Sequence, residues 1–226
     1  SSRGQNDNAP VITLSETGLD FNYVYSGDPQ TAVVNVKGER LQGDISITVT
    51  GDELKPSVTT VTAEEAQSGE GKDVTFTLTP VTEEGKATVT FSTPGRDDVA
   101  LEATWTTLPV KDIASLGDFA AENPDDYLTY RYTGEAVVTF VNNVNGTPEY
   151  YIQDATAGML VKDDYQYLGS SYKAGDKLTG FIGNITSFFG AMSFVPASST
   201  LGRVVSEGNT AEPVTVTLAA VKARPK

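Results

Sequence analysis

Hydrophobic residues recur at every second position through most of the chain, and the three-to-four residue spacing of a helix is rare. Over the first hundred residues this alternation predicts strands at 11–14, 31–36, 45–50, 74–79, 87–92 and 99–106. Between them lie "SGDPQ", "GDELKP", "SGEGKD", "EEGK" and "PGRDD", rich in residues that accept the backbone angles of tight turns. Short strands at this spacing predict a β-sandwich over residues 10–108. One segment departs from the pattern: "TAEEAQ" at 62–67 reads as a single helical turn capped by Thr62.

The stretch "TTLPVKD" marks a seam, and "DIASLGDFAAENPDDY" after it changes to a short helix-like piece with a turn at Asn123-Pro124. Alternation then resumes and predicts strands at 130–141, 150–154, 159–161, 177–188 and 191–195. The first and fourth are long and contain Gly134, Gly180 and Gly183, which permit sharp bending. Five strands of which two are long and bent predict a closed OB-type β-barrel over residues 109–212. The run 163–172 stands where such a barrel often carries a helix, but it reads as loop. The expected architecture is therefore all-β, a sandwich followed by a five-stranded barrel. Residues 1–9 read as a flexible polar tether. Residues 213–226 loosely repeat the start of the second domain, with Pro213-Val214 falling on Pro109-Val110, and are expected to begin a further similar module.

Charge narrows the range of partners. Among 226 residues, 16 lysines and arginines face 30 acids, a formal net charge of -14. Such a field opposes phosphate backbones and anionic membranes, because nucleic-acid binding rests on cationic side chains displacing counterions. Up to residue 108 there are 7 basic and 17 acidic residues, and beyond it 9 and 13, so the second half is the less hostile to an anion. Cysteine and histidine are both absent, which removes thiol and imidazole chemistry, structural zinc sites and Ser-His-Asp triads. No apolar run is long enough to span a bilayer as a helix.

Few residues carry candidate chemistry. Ser170-Ser171-Tyr172-Lys173 has the S-x-x-K spacing of serine acyl enzymes, but neither S-D-N nor K-T-G follows, so the match reads as chance and no enzyme is expected. Acid pairs stand at Asp97-Asp98, Asp125-Asp126 and Asp163-Asp164. They lack the alternating spacing of a calcium loop, and Asp163 with Asp164 is the one weak candidate for a structural Ca2+. No other cofactor is expected. The aromatic residues of the second domain are a better lead. Alternation places Tyr150, Ile152 and Asp154 on one face and Tyr151 with Gln153 on the other. If Ile152 is core, Tyr151 and Gln153 point outward as a ligand platform, with Arg131, Lys162 and Lys173 as candidate partners. Asp154 then serves the turn Ala155-Thr156-Ala157-Gly158 by accepting its N–H groups. The competing reading is that these tyrosines merely cover a small barrel.

Two resemblances add to this. "LDFNYVYSGDPQTAVVNVKGERLQGDISITVTG" with "VTAEEAQSGEGKDVTFTLTP" resembles an Ig-like module recurrent in Bacteroides-type surface proteins. There it is usually a spacer or presentation domain and carries no catalytic residue. "YYIQDATAGMLVKDD" followed by "YKAGDKLTGFIGNITSFFGAMSFVP" resembles the OB-fold modules of bacterial exported proteins, including those beside extracellular nucleases. Together they imply an exported surface lipoprotein, held at the outer membrane or cell surface by a lipidated cysteine upstream of Ser1. The expected function is non-enzymatic binding or display, with a glycan the favoured ligand. A nucleic-acid accessory module and a purely structural spacer are the alternatives.

Overall fold

A computed structural model of the protein describes residues 8–168, 172–188, 190–197 and 203–211. Most of the expected tether and the expected repeat start at 213–226 lie outside the described residues. The chain divides into two compact units, Ser1–Pro109 and Val110–Lys226, at the seam marked by "TTLPVKD".

The first unit has nine strands: β1 (Val11–Leu14), β2 (Gly18–Tyr25), β3 (Gln30–Glu39), β4 (Ile45–Val49), β5 (Leu54–Pro56), β6 (Thr60–Val61), β7 (Lys72–Leu78), β8 (Gly85–Ser92) and β9 (Val99–Leu108). They form two sheets, β1-β3-β7-β5 and β2-β9-β8-β4-β6. Alternation turns Val34, Val36, Val74 and Phe76 of one sheet, and Ile47, Val89, Phe91 and Leu101 of the other, into one core. This is an Ig-like sandwich. Helix α1 (Ala63–Gln67) lies between β6 and β7 and opens with the expected cap: the Thr62 hydroxyl accepts the Glu65 N–H while the Glu65 carboxylate accepts the Thr62 N–H.

Two strands depart from the expected pattern. "GDELKP" is not turn alone, since it contains β5. The alternation of β2 buries Leu19 and Phe21, then slips at a bulge before Val24, where Tyr23 takes a φ of 60°. The bulge shifts the phase of the pattern and hides the strand from a period-two reading.

The second unit has β10 (Lys111–Ile113), β11 (Tyr130–Tyr132), β12 (Ala136–Val144), β13 (Thr147–Gln153), β14 (Gly158–Lys162), β15 (Lys177–Thr179), β16 (Ile182–Phe188), β17 (Ala191–Pro196) and β18 (Arg203–Ser206). Each of the two long runs expected from the sequence is a broken strand. The first is β11 plus β12, interrupted at Gly134, and the fourth is β15 plus β16, interrupted at Gly180, whose φ is +82°. Such a φ is cheap for glycine and strained for other residues. Pairing runs β11-β16-β17-β14-β13-β12-β15. Because β11 continues into β12 and β15 into β16, the first and fourth runs meet along both halves and the ring closes. Its pairs are antiparallel except for β14 with β17, which is parallel. β10 and β18 extend the ring at its two breaks.

Rings fill the interior. Tyr130, Tyr132, Tyr150, Phe119, Phe181 and Phe194 are all fully or almost fully buried. The helix-like piece is two 3-10 turns, Leu116–Ala121 and Pro124–Asp126. The first sends Leu116 and Phe119 into the core, with Phe119 edge-on to Tyr130 at 5.4 Å and to Phe194 at 5.9 Å. No helix occupies 163–168, in keeping with the loop expected there.

Candidate functional site

The site is built on the β13–β14 hairpin and the strand beside it. Tyr150, Ile152, Met159 and Val161 are buried in the core. Tyr151, Gln153, Leu160 and Lys162 are therefore on the outer face, each half-exposed, as alternation predicts. Tyr151 lies in register with Leu160 on β14 and with Phe140 on β12, whose ring centroid is 5.8 Å from its own. Phe140 is 56 % exposed. The row Phe140–Tyr151–Leu160 thus crosses three strands as a continuous apolar stripe. On one side of it lie Asn142, Glu149 and Lys162, in register with one another, and on the other Val137, Gln153 and Gly158. Just beyond β14, Tyr165 and Tyr167 stand 72 % and 41 % exposed, their rings 5.7 Å apart.

Phe140 was not among the residues expected to form the platform. Strict alternation from the buried Val138 would turn Phe140 inward. A bulge between Val138 and Phe140 inserts Thr139 and reverses the phase, so Val141 packs toward the core while Phe140 faces out. No local turn residue in "VVTFVNN" announces the bulge.

Gln153 also forms part of a cleft of about 490 Å³, lined by Glu135, Val137, Gln153, Lys177, Asn209 and Thr210 among others. Asn209 holds this wall in place: its backbone N–H and its side-chain amide both donate to the Gly175 carbonyl, at 2.8 and 3.0 Å. Lys177 Nζ lies 4.0 Å from Glu135.

Asp154 closes the hairpin and does more than the sequence implies. Its Oδ1 accepts the N–H groups of Thr156 and Ala157 at 2.8 and 3.1 Å and the Thr156 hydroxyl. Its Oδ2 accepts the Leu116 N–H at 2.8 Å and the Tyr132 hydroxyl at 2.9 Å. The Thr156 oxygen in turn accepts the Gly117 N–H. One carboxylate therefore joins the hairpin turn, the start of the 3-10 plug and the end of β11. Burial works to raise its pKa. The Thr156 hydroxyl, the Leu116 and Thr156 N–H groups and the Tyr132 hydroxyl outweigh that and hold it below the ordinary carboxylate value. Burial, helped by the charge of Asp163, pushes the Tyr150 phenol up to about 12.

The remaining candidates are dispersed. Lys162 joins the platform, opposite Glu149. Arg131 does not: it sits on β11, with Asp112 of β10 at 3.2 Å, and β16, β17 and β14 lie between it and β13 in the pairing order. Lys173 is drawn to the β15–β18 edge, where Glu207 is 3.3 Å and Asp176 3.6 Å away. Asp163 and Asp164 stand in different surroundings. Asp163 is fully buried and accepts the Tyr167 and Leu168 N–H groups, both at 2.8 Å, so it closes its own loop, whereas Asp164 is exposed. Among the described residues no group of three or more acids converges on a metal position. Ser170 and Ser171 of the S-x-x-K stretch lie outside the described residues.

No family model matches this chain, and no curated protein does. Among solved structures it is similar to a Bacteroides ovatus GH5 xyloglucanase in complex with a XXXG heptasaccharide, at 20 % identity and a TM-score of 0.32. That match covers 46 % of this chain and 21 % of the other, so the chain spans about a fifth of the xyloglucanase. The BIgI domain of the beta protein of S. agalactiae, bound to CEACAM1, is similar at 12 % identity over 44 % of this chain and 97 % of that one, with a TM-score of 0.29. The N-terminal Ig1-2 module of the Drosophila receptor tyrosine phosphatase DLAR gives 9 % identity, coverage of 66 % and 94 %, and a TM-score of 0.30. At these identities and TM-scores the likenesses carry nothing about ligand or chemistry.

Proposed function

We propose that this chain is a non-enzymatic binding or display protein whose second unit, an OB-type barrel, holds a ligand on the outer face of β12, β13 and β14. The observation that carries this reading is the exposed row Phe140–Tyr151–Leu160. Three apolar side chains in register on the outside of a closed barrel add nothing to its core, and the bulge at Thr139 exposes a ring that plain alternation would bury. Surface rings flanked by polar side chains are the usual platform for a planar or ring-shaped ligand. Asp154, half-buried at the end of the hairpin, is occupied in holding structure together, which favours binding over catalysis. The first unit serves in this reading as the spacer that presents the barrel, and the protein works at the cell surface on a lipid anchor, as its resemblances imply.

Amide chemical-shift mapping of the full chain tests the site. Titration with pooled soluble polysaccharides and single-stranded oligonucleotides is expected to move the resonances of Phe140, Tyr151, Gln153 and Leu160 first. Shifts confined to the first unit, or no shifts at all, would favour the pure spacer. Mass spectrometry of the cell-derived protein is expected to find an acylated N-terminal cysteine, and a non-lipidated mature form removes the anchor.

A further inference from the structure

We infer that the ligand of this face is an uncharged oligosaccharide that lies across Phe140, Tyr151 and Leu160 and continues into the cleft at Gln153. The inference rests on the binding reading above and adds the chemistry of the ligand. It begins with charge. Lys162 stands opposite Glu149 across the hairpin, and Lys177 has Glu135 at 4.0 Å. Lys173 lies between Glu207 and Asp176, and Arg131 against Asp112. Lys177, Lys173 and Arg131 each lie within ion-pair distance of a carboxylate and Lys162 is in register with Glu149, so these four described cations make no uncompensated basic strip for a phosphate or uronate chain. Displacing those carboxylates would gain a polyanion little, because the contacts that drive such binding are cations free to release counterions. The chain's net charge of -14 adds to the barrier.

An uncharged polyol meets no such barrier. The rows beside the rings carry Asn142 and Gln153, amides that both donate and accept, as sugar hydroxyls do. Gln153 is shared by the two parts of the surface, since it borders Tyr151 along β13 and also lines the cleft. Thr210 adds a hydroxyl on the far wall of that cleft. Two residues along a strand span about 7 Å, so a ligand resting on Tyr151 reaches the cleft through its next ring. The cleft's volume of about 490 Å³ falls within the roughly 300–1,000 Å³ of small-ligand sites. Stacking supplies the affinity and the amides supply the selection, without any ionic contact.

Affinity electrophoresis of the full chain tests this. The native gels hold mixed-linkage β-glucan, xyloglucan or galactomannan in one set and pectate in another, alongside anisotropy measurements with a labelled thymidine oligonucleotide. Retardation by at least one neutral polysaccharide is expected, insensitive to salt. Tyr151→Ala should weaken it about tenfold or more, in line with the loss of one stacking platform, while Tyr151→Phe retains it. Gln153→Ala should weaken it several-fold, and Lys55→Gln, on β5 of the first unit, should leave it unchanged. Circular dichroism of each variant confirms the fold. Retention only by pectate or the oligonucleotide, lost in Tyr151→Ala, overturns the neutral-glycan inference and leaves the face as a binding site. Retention by no probe, or retention that Tyr151→Ala does not alter, overturns both.

Discussion

The sandwich and the barrel fill their cores differently. The first unit buries mostly Val, Ile and Leu, with three phenylalanines and Trp105, and no tyrosine. The second buries Tyr130, Tyr132 and Tyr150 among its phenylalanines. A phenol buried without an acceptor strands its hydroxyl, and the first core carries none. In the closed ring, two of the three phenols reach carboxylates contributed by connecting segments, Tyr130 meeting Glu122 at 3.0 Å and Tyr132 meeting Asp154 at 2.9 Å. The same polar ends fasten the 3-10 plug to the barrel. Outside, the described strands of the barrel carry the ring row, while the sandwich's alternating strands face out mainly with Thr, Ser, Lys and Glu. The barrel's rings both fill its core and form an outer row, whereas the sandwich's phenylalanines and Trp105 pack inward and its Tyr23 stands exposed at the β2 bulge.

That contrast can be broken most forcefully at Asp154. Asp154→Ala leaves the Leu116 N–H and the Tyr132 hydroxyl without their acceptor and should cost the second unit about 3 kcal/mol. The first unit should be untouched. The chain's one tryptophan, Trp105, is buried in the sandwich, so its fluorescence reports that unit, while the tyrosine band of the near-ultraviolet circular dichroism is weighted to the second unit, which holds eight of the ten tyrosines. A fall in the Trp105 transition as large as that of the tyrosine signal would refute the separation.

The same residue sets a pH dependence. Its carboxyl ionises more readily in the folded protein than in the unfolded chain. It therefore contributes stability that is present above the unfolded value of about 4 and is lost as pH falls through the lower folded value. Acid melts should show the barrel losing stability over that range, and Asp154→Asn should flatten the dependence.

The sandwich can be tested at Gly85. A Cβ there would come within 2.6 Å of the Trp105 ring, so Gly85→Ala forces the ring aside and should cost about 2 kcal/mol, read directly in Trp105 fluorescence. A red-shifted spectrum with unchanged stability would show that the ring moves aside at no cost. The smallest effect is expected at the helix cap, where Thr62→Ala removes one half of the capping box and should cost about 1 kcal/mol, measured by denaturant melts of the first unit with the tyrosine signal unchanged.

Much of this architecture is legible without coordinates. The strands at 31–36, 74–79 and 87–92 alternate cleanly because each has one buried and one wet face. The cap at Thr62 is local chemistry and is read as such. The outward turn of Tyr151 and Gln153 follows once Ile152 is buried. What misleads a reader of the sequence is phase: bulges at Tyr23 and Thr139 cost one residue each and carry no side-chain signature. Charge partners mislead for a similar reason, since Arg131 and Lys173 look available in the sequence and are matched in space by Asp112, Glu207 and Asp176.

The sequence by itself determined the strand periodicity, the turns, the seam between the units and the face on which Tyr151 would stand, because these depend on neighbours two to five residues away. Tertiary structure alone decided that the ring closes, that Phe140 joins Tyr151, and that Asp154 holds Leu116 across 38 residues of chain. Those outcomes depend on which strands meet, and pairing is settled by burial of the whole core and not by any local stretch.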